Sequence, residues 1–485
     1  MNTDIRNLEP KSLWNNFADL NAVPRGSKKE EKVIAFMVDF GKKLGLETIV
    51  DPIQNVIIKK PATPGMENRK TIVLQSHLDM VHQKNEDTDF DFDTEGIKMY
   101  IDGDWVTADG TTLGADNGLG VAAIMSILQS KDIPHPAIEA LFTIDEETGM
   151  TGAKGLQEGY LSGEILLNLD TEEDTELDIG CAGGIDVTAT KNYTEQQLDG
   201  NCKAFELSLK GLKGGHSGMD IHIGLGNANK IMNRIFEATK DLMNIAKIKG
   251  GSLRNAIPRE SFATVICPTQ NAADFVAKAS ALAEEIKEEF KETDPNLEFI
   301  IEDTTCPKKA MSKEDQEKLI NAVKNAHNGV WKMSEDMPGL VEASNNVAKV
   351  TVEEGKIQIE CLTRSSVEES KMEVANQLKD AFEKEGFAVE FSGSYPGWKP
   401  NPDSAILNVM GDLYEKIFDK KADVVACHAG LECGILGTNY PEMDMISFGP
   451  TIEGAHSPDE RANITSTQKF WKYLLEILKN IPEKA

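Results

Sequence analysis

In VLQSHLDMV, residues 73–81, an imidazole and a carboxylate stand two positions apart at the end of an apolar run. Side chains two apart on a strand share one face, so His77 and Asp79 suit a metal-binding ring and a carboxylate that fixes its geometry. An H-x-D triplet also arises by chance. Asp116, in TTLGADNGLGVAA, stands just before an apolar helix, where an ordinary N-cap would also place an aspartate. The glycines around it permit unusual backbone geometry. Glu146 and Glu147, in LFTIDEETGMTG, directly follow an apolar strand, a place where paired acids often open a helix. Asp170 ends the next strand, EILLNLD, and His456 lies in a loop containing Gly and Pro, ISFGPTIEGAHSPDER. Each residue taken singly has a structural reading. Jointly, His77, Glu146, Glu147, Asp170 and His456 each follow an apolar strand, on the edge where open α/β sheets bind ligands.

Counting charge tests the grouping. Two divalent cations bring four positive charges, against three negative from Asp116, Glu147 and Asp170 and one from a bridging hydroxide. The set is neutral when His77 and His456 are neutral, so it could sit in a partly dry cleft. Imidazoles mixed with carboxylates suit zinc or a similar first-row ion, cobalt and manganese included, better than calcium or magnesium. Glu146 remains outside the set, where a general base and acid must stand.

These residues need an α/β scaffold, and the chain reads as one. Helical segments lie on both sides of PRGS (24–27), and ETIVDPIQNVIIKK alternates as a hairpin. Strands and helices then take turns: TIVLQSHLDMV, NGLGVAAIMSILQS, AIEALFTID, TGAKGLQEGYL, EILLNLD. From about residue 187 the texture becomes strand, helix, strand, and a similar pass follows it. SYPGWKPNPDS (394–404) resembles a hinge, after which the α/β pattern returns. The expected fold is α/β, a mixed sheet covered by helices, with an inserted α+β domain. The catalytic domain would comprise residues 1–186 and 399–485, and the insert, 187–398, two similar α+β halves.

Composition bounds the function. With 485 residues the chain exceeds the roughly 250–300 at which one core stops growing, so two domains are expected. A formal charge of −29 without a basic stripe argues against nucleic acid as a partner. No run approaches a membrane span, and the N-terminus reads as neither a secretory signal nor a transit peptide. Seven scattered cysteines without C-x-x-C spacing argue against a disulfide framework and a thiolate zinc site, and for a reducing cytoplasm. The acids after Asp170, namely Glu172, Glu173, Asp174 and Glu176, read as solvated.

In their order and spacing, SHLDMV, GADNGLG, DEETGMTGAKGL, NLD and EGAHSPDE resemble the dinuclear-zinc exopeptidases and deacylases, which include acetylornithine deacetylase, succinyl-diaminopimelate desuccinylase and the cytosolic dipeptidases. GGHSGMDIHIGLGNANK, RNAIPRE and CHAGLECGIL are similar to the aminoacyl-histidine (Xaa-His) dipeptidase subgroup. The resemblance implies that His77, Asp116 and Asp170 hold one metal and that Asp116, Glu147 and His456 hold the other. Asp79 would orient His77, Glu146 would be the general base and acid, and the Asp116–Asn117 peptide would be cis. His216, which on sequence alone is equally a turn histidine, would stabilise the oxyanion when the insert, the lid of that family, closes. Asn255 and Arg364 would reach the substrate, Arg364 by forking onto a terminal carboxylate. HAGLECG departs from the Gly-rich, Asp-containing turn of many relatives, and on that departure, not on the resemblance, Glu432 and His428 are expected to touch the substrate. The implied reaction is attack by the bridging hydroxide on a dipeptide, of the Xaa-His type and including β-alanyl-histidine. A tripeptidase, an N-acyl amino acid deacylase and a catalytically silent metal-stabilised binding protein are the rivals. Whether the insert imitates a dimer within one chain or carries a homodimer interface stays open.

Overall fold

The computed structural model describes residues 3–197, 201–335 and 337–484. It divides into two compact units, one of Met1–Gly180, Pro400–Ala426 and Leu431–Ala485, the other of Cys181–Lys399 with Cys427–Gly430.

The first unit is built on a mixed sheet. Its strands are β1 (Glu47–Val50), β2 (Val56–Lys60), β3 (Ile72–His77), β4 (Ile138–Thr143), β5 (Ile165–Asn168), β6 (Glu176–Cys181), β7 (Asp423–Cys427) and β8 (Asp444–Ser447). They lie in the order β1-β2-β4-β3-β5-β8-β6-β7. β4, β3, β5 and β8 run parallel, while β1, β2 and β6 pair antiparallel. β3 is central, and all six of its residues are buried, which is why IVLQSH reads as a continuous run rather than an alternating one. The parallel group brings four strand ends to one edge.

The helices are α1 (Lys11–Leu20), α2 (Glu31–Lys43), α3 (Ala115–Gln129), α4 (Ala405–Phe418), α5 (Glu432–Asn439) and α6 (Ile464–Lys479), with two short ones at Glu146–Gly149 and Thr151–Gly155. α3 is apolar nearly all round and buried along most of its length, as a helix enclosed on every side must be. It lies so close to the strand ends that a Cβ on Gly120 would fall 2.6 Å from the Leu169 carbonyl oxygen. This close seat aims its first turn, with Asp116, at the sheet edge. α1 covers α3, with Trp14 and Phe17 fully buried and Asn16 donating to Ser126 Oγ at 2.8 Å.

The second unit is built on one large antiparallel sheet, with two short two-stranded ladders beside it. Its strands run Glu298–Thr304, Cys202–Lys210, Ser261–Pro268, Asn244–Gly250, Val341–Glu353, Lys356–Ser365, Gly183–Asn192, Ala388–Tyr395, and Gly329–Met333 pairs off the path with Val341–Glu353. From each outer edge inward the order is the same: fourth, first, third and second strand of a β-α-β-β-α-β unit. One such unit is nested inside the other, because Gly183–Asn192 precedes the whole of the inner one. The helices Ala228–Thr239, Ala272–Glu289, Lys313–Asn325 and Glu368–Lys384 share a single apolar cluster with the sheet, in which Phe275 stacks on Phe205 at 5.5 Å.

Three expectations are corrected. The helix read over TGAKGLQEGYL stops at Gly155, which sits against Ile53 where a Cβ would fall 2.7 Å from Cγ1. Asp174 is not solvated: Lys469 Nζ donates to it at 2.6 Å, and Glu173 and Glu176 are partly buried. Cys202, which opens its strand, and Cys306, two residues beyond the neighbouring strand, are joined as a disulfide, a pairing that their separation of 104 residues conceals in the sequence. The other five cysteines are outside any disulfide. Among the described residues no helix is long and apolar enough to cross a membrane.

Replacing the fully buried Phe275 by Ala should remove about 3–5 kcal/mol of stability, measured as a lower midpoint in guanidinium denaturation.

Candidate metal centre

His77 ends β3, Glu146 and Glu147 follow β4, Asp170 follows β5 and His456 lies in the loop beyond β8. α3 supplies Asp116 from its first turn. Residues spread over 380 positions of sequence therefore meet at one sheet edge. His77 Nε2 lies 3.1 Å from Asp116 Oδ1 and 3.5 Å from Asp170 Oδ1. His456 Nε2 lies 3.2 Å from Asp116 Oδ2 and 3.0 Å from Glu147 Oε2. The two oxygens of Asp116 thus face different imidazoles. His77, Asp116 and Asp170 have ligand atoms within 4.8 Å of one another, as do Asp116, Glu147 and His456.

Asp79 is fully buried behind the first of these sets. Nδ1 of His77 is 3.1 Å from the Asp79 carbonyl oxygen and 3.4 Å from its carboxylate, so Nδ1 carries a hydrogen and Nε2 is the nitrogen that a cation would take. The same carboxylate accepts from the backbone N–H groups of Glu146 (3.1 Å) and Glu147 (3.3 Å) and from Ser27 Oγ (2.8 Å). One acid thus orients His77 and anchors the turn that carries Glu146 and Glu147.

The electrostatics describe a site that wants cations. Burial opposes a charged His77, but Asp170, Asp116 and Asp79 outweigh it and hold its pKa well above the usual value. Hydrogen bonds to Asp116 and Glu147 push His456 up to about 11. Burial raises Glu146 well above the ordinary carboxylate range, with Asp170, Glu147 and Glu432 adding to it. Glu147 Oε1 and Asp170 Oδ1 are buried without a hydrogen-bond partner, although buried oxygens are normally satisfied. Nitrogen and oxygen donors in two sets sharing one carboxylate, with orphaned oxygens, fit a pair of divalent ions.

Two residues that the sequence reading passed over tie the ligand loops together. Glu460 is buried and accepts four backbone hydrogen bonds, from Leu113 (2.7 Å), Gly114 (2.9 Å), Ala115 (2.7 Å) and Asp116 (3.3 Å). It thereby locks the loop of His456 to the turn of Asp116. Gly114 has φ +69°, a conformation that glycine adopts without strain, and the Asp116–Asn117 peptide is cis. Arg25, also buried, donates to the carbonyl oxygens of Leu78 (3.1 Å), Asp79 (3.0 Å) and Gly114, binding the loop after β3 to the same turn. Their signals were the acid four residues after His456 and the cation in the PRGS break.

Glu432 requires a correction. It was expected to touch substrate, yet it is wholly enclosed in the first unit, where its Oε2 accepts from Gln75 Nε2 and Thr143 Oγ1, both at 2.6 Å. Burial pushes its pKa up to about 7.

In the second unit, His216 Nδ1 accepts from the N–H groups of Gly218 (3.3 Å) and Met219 (3.1 Å), so Nε2 carries the hydrogen. That Nε2 lies 3.5 Å from Nη2 of the buried Arg364, which also donates to Tyr395 Oη at 3.1 Å. Two donors converging in this way suit an anionic group. Asn255 is exposed and its carbonyl oxygen accepts from Ser217 N at 2.8 Å. His428 is buried against Ser344 Oγ at 2.8 Å, and burial with Arg364 and His216 nearby drives its pKa to about 3, so it is neutral. His82 stacks on Phe92, His135 is buried on Pro136 O, His327 packs on Trp331 and His222 is exposed.

The model of peptidase family M20/M25/M40 matches residues 73–480. The chain belongs to that family. This M20 chain is 42% identical over 484 residues to the cytosol non-specific dipeptidase of Escherichia coli, covering 99% of itself and 100% of that protein. It also matches the crystal structure of aminoacylhistidine dipeptidase from Vibrio alginolyticus with a TM-score of 0.91 and 46% identity, over 99% of both chains. The aminopeptidase PepT structure from Bacillus cereus shares the fold, at TM-score 0.57 and 18% identity, over 98% and 99% of the two chains. As an M20 member the protein is a peptidase, a hydrolase of peptide bonds.

Because Gln offers one acceptor oxygen where Glu460 offers two, Glu460→Gln should cost roughly 3 kcal/mol of stability and weaken metal binding about 10- to 100-fold. Denaturant titration and chelator competition would measure the two effects.

Proposed function

We propose that the protein is a metal-dependent dipeptidase whose centre holds two divalent ions, one on His77, Asp116 and Asp170 and one on Asp116, Glu147 and His456. The observation that carries this reading is the shared carboxylate of Asp116, one oxygen on each imidazole. When bound, the ions would polarise the scissile carbonyl and make water acidic enough to attack it at neutral pH. Glu146 would accept the proton given up by that water and hand it to the leaving nitrogen. Asp79 would keep His77 in the tautomer that leaves Nε2 free. His216 would donate to the developing oxyanion and Arg364 to the substrate's terminal carboxylate, with Asn255 assisting.

The substrates are dipeptides. The names of the Escherichia coli and Vibrio alginolyticus relatives support this, and the second supports Xaa-His dipeptides; β-alanyl-histidine is our own extension of that class. The donor set favours zinc, with cobalt or manganese as working substitutes. A cytoplasmic site of action agrees with the name of the Escherichia coli relative.

Release of free histidine from a dipeptide panel, on metal-defined protein, tests the reading. Glu146→Gln should keep both ions and lose about 100- to 10,000-fold in kcat, whereas Asp116→Ala should lose ions and activity together. Normal turnover by the Glu146 variant would refute its role. Arg364→Ala should raise KM for dipeptides about 10-fold or more, and far less for dipeptide amides, which lack the carboxylate it would bind.

A further inference from the structure

Directly beneath the metal centre, a chain of buried polar side chains crosses the sheet, and none of it serves the chemistry above. It runs from Glu432 through Thr143, Gln75, Asn168, Ser447 and Thr171 to Asp178, and every member is buried. Gln75 stands two residues before His77, and Asn168 two before Asp170. The contacts are Glu432 with Gln75 and with Thr143 (2.6 Å each), Gln75 with Thr143 (3.1 Å), Gln75 with Asn168, Asn168 with Ser447, Ser447 with Thr171 (2.7 Å) and Thr171 with Asp178 (2.7 Å).

Counting hydrogens fixes the direction of this chain. Ser447 has one hydrogen, which goes to Asn168 Oδ1, an atom that has none to give. The Ser447–Thr171 contact must then use the hydrogen of Thr171. The Thr171–Asp178 contact is left needing a hydrogen from Asp178 itself. At the other end, the two amide hydrogens of Gln75 serve Thr143 and Glu432, and Thr143 donates to Glu432. All seven contacts are then served by seven hydrogens, with Glu432 ionised, its Oε2 alone making its contacts and its Oε1 buried without a partner.

Turning both amides over reverses the chain and moves the proton to Glu432. Three contacts among Gln75, Thr143 and Glu432 would then share only two hydrogens, and one buried contact would have none. Burial pushes both end carboxyls up to about 7, so either could hold a proton, and the hydrogen count decides between them.

We propose that Asp178 is held as a neutral carboxylic acid that sets the direction of this chain, and that it is a positioning residue for the strand ends carrying His77 and Asp170. The positioning role rests on the metal-centre reading; the location of the proton does not.

Infrared difference spectra of the metal-loaded enzyme at neutral pH separate the two. Wild type minus Asp178→Asn should show the C=O band of a protonated carboxyl, and wild type minus Glu432→Gln should show carboxylate bands alone. A protonated-carboxyl band in the Glu432→Gln spectrum, or none in the Asp178→Asn spectrum, would overturn the proposal. For the positioning role, Asp178→Asn, whose amide can still donate to Thr171, should retain at least 10-fold more kcat and metal affinity than Asp178→Ala. Equal losses in two folded variants would overturn that role and leave the proton assignment to the spectra.

Discussion

Everything in the first unit serves the two-sided exposure of one carboxylate. Asp116 must offer Oδ1 to His77 and Oδ2 to His456, although these side chains come from opposite ends of the chain. Like-charged neighbours make such a cluster expensive in the absence of cations: Asp116, Glu147 and Asp170 would repel one another in a buried space. The protein answers with rigidity. Glu460 gathers four N–H groups around the turn of Asp116, Arg25 fastens the loop after β3 to that turn, and Asp79 anchors the turn after β4. A carboxylate, a guanidinium and a second carboxylate each spend most of their hydrogen bonds on backbone, which fixes the turns that carry the ligands.

The sheet makes this economical. A parallel group ends every strand on one edge, and the residues beyond those ends need only short loops to converge. The residues just inside the ends are polar too, and, Glu432 Oε1 apart, they satisfy one another in a line rather than reaching for solvent. Buried polar chains of this kind are favourable only when each member is served, which is why their hydrogen count is informative.

The ligands were legible because all but Asp116, which opens an apolar helix, sat after an apolar strand, and their residue types agreed with one charge count. α3 and β3 were legible for the same reason: unbroken apolar runs leave little choice of environment. The supporting residues were not. Glu460 reads as an acid in an acidic loop, and Arg25 as a cation in a turn; only the fold shows backbone N–H and carbonyl groups converging on them. Glu432 was misjudged because an acid opening a helix in a Gly-rich segment looks exposed, while its partners, Gln75 and Thr143, lie about 290 to 360 positions away. In the second unit, strand Asn244–Gly250 and helix Lys313–Asn325 escaped notice. The strand alternates lysines with apolar residues over a short span, and the helix is charged on most of its surface. The nesting of one half inside the other has no local signal at all.

The shared carboxylate can be tested directly by titrating the metal-free protein with cobalt(II) and following its electron paramagnetic resonance. Two ions bridged by Asp116 should couple, so the signal that grows with the first equivalent should fall as the second binds. Two signals that simply add, as isolated ions give, would contradict the account.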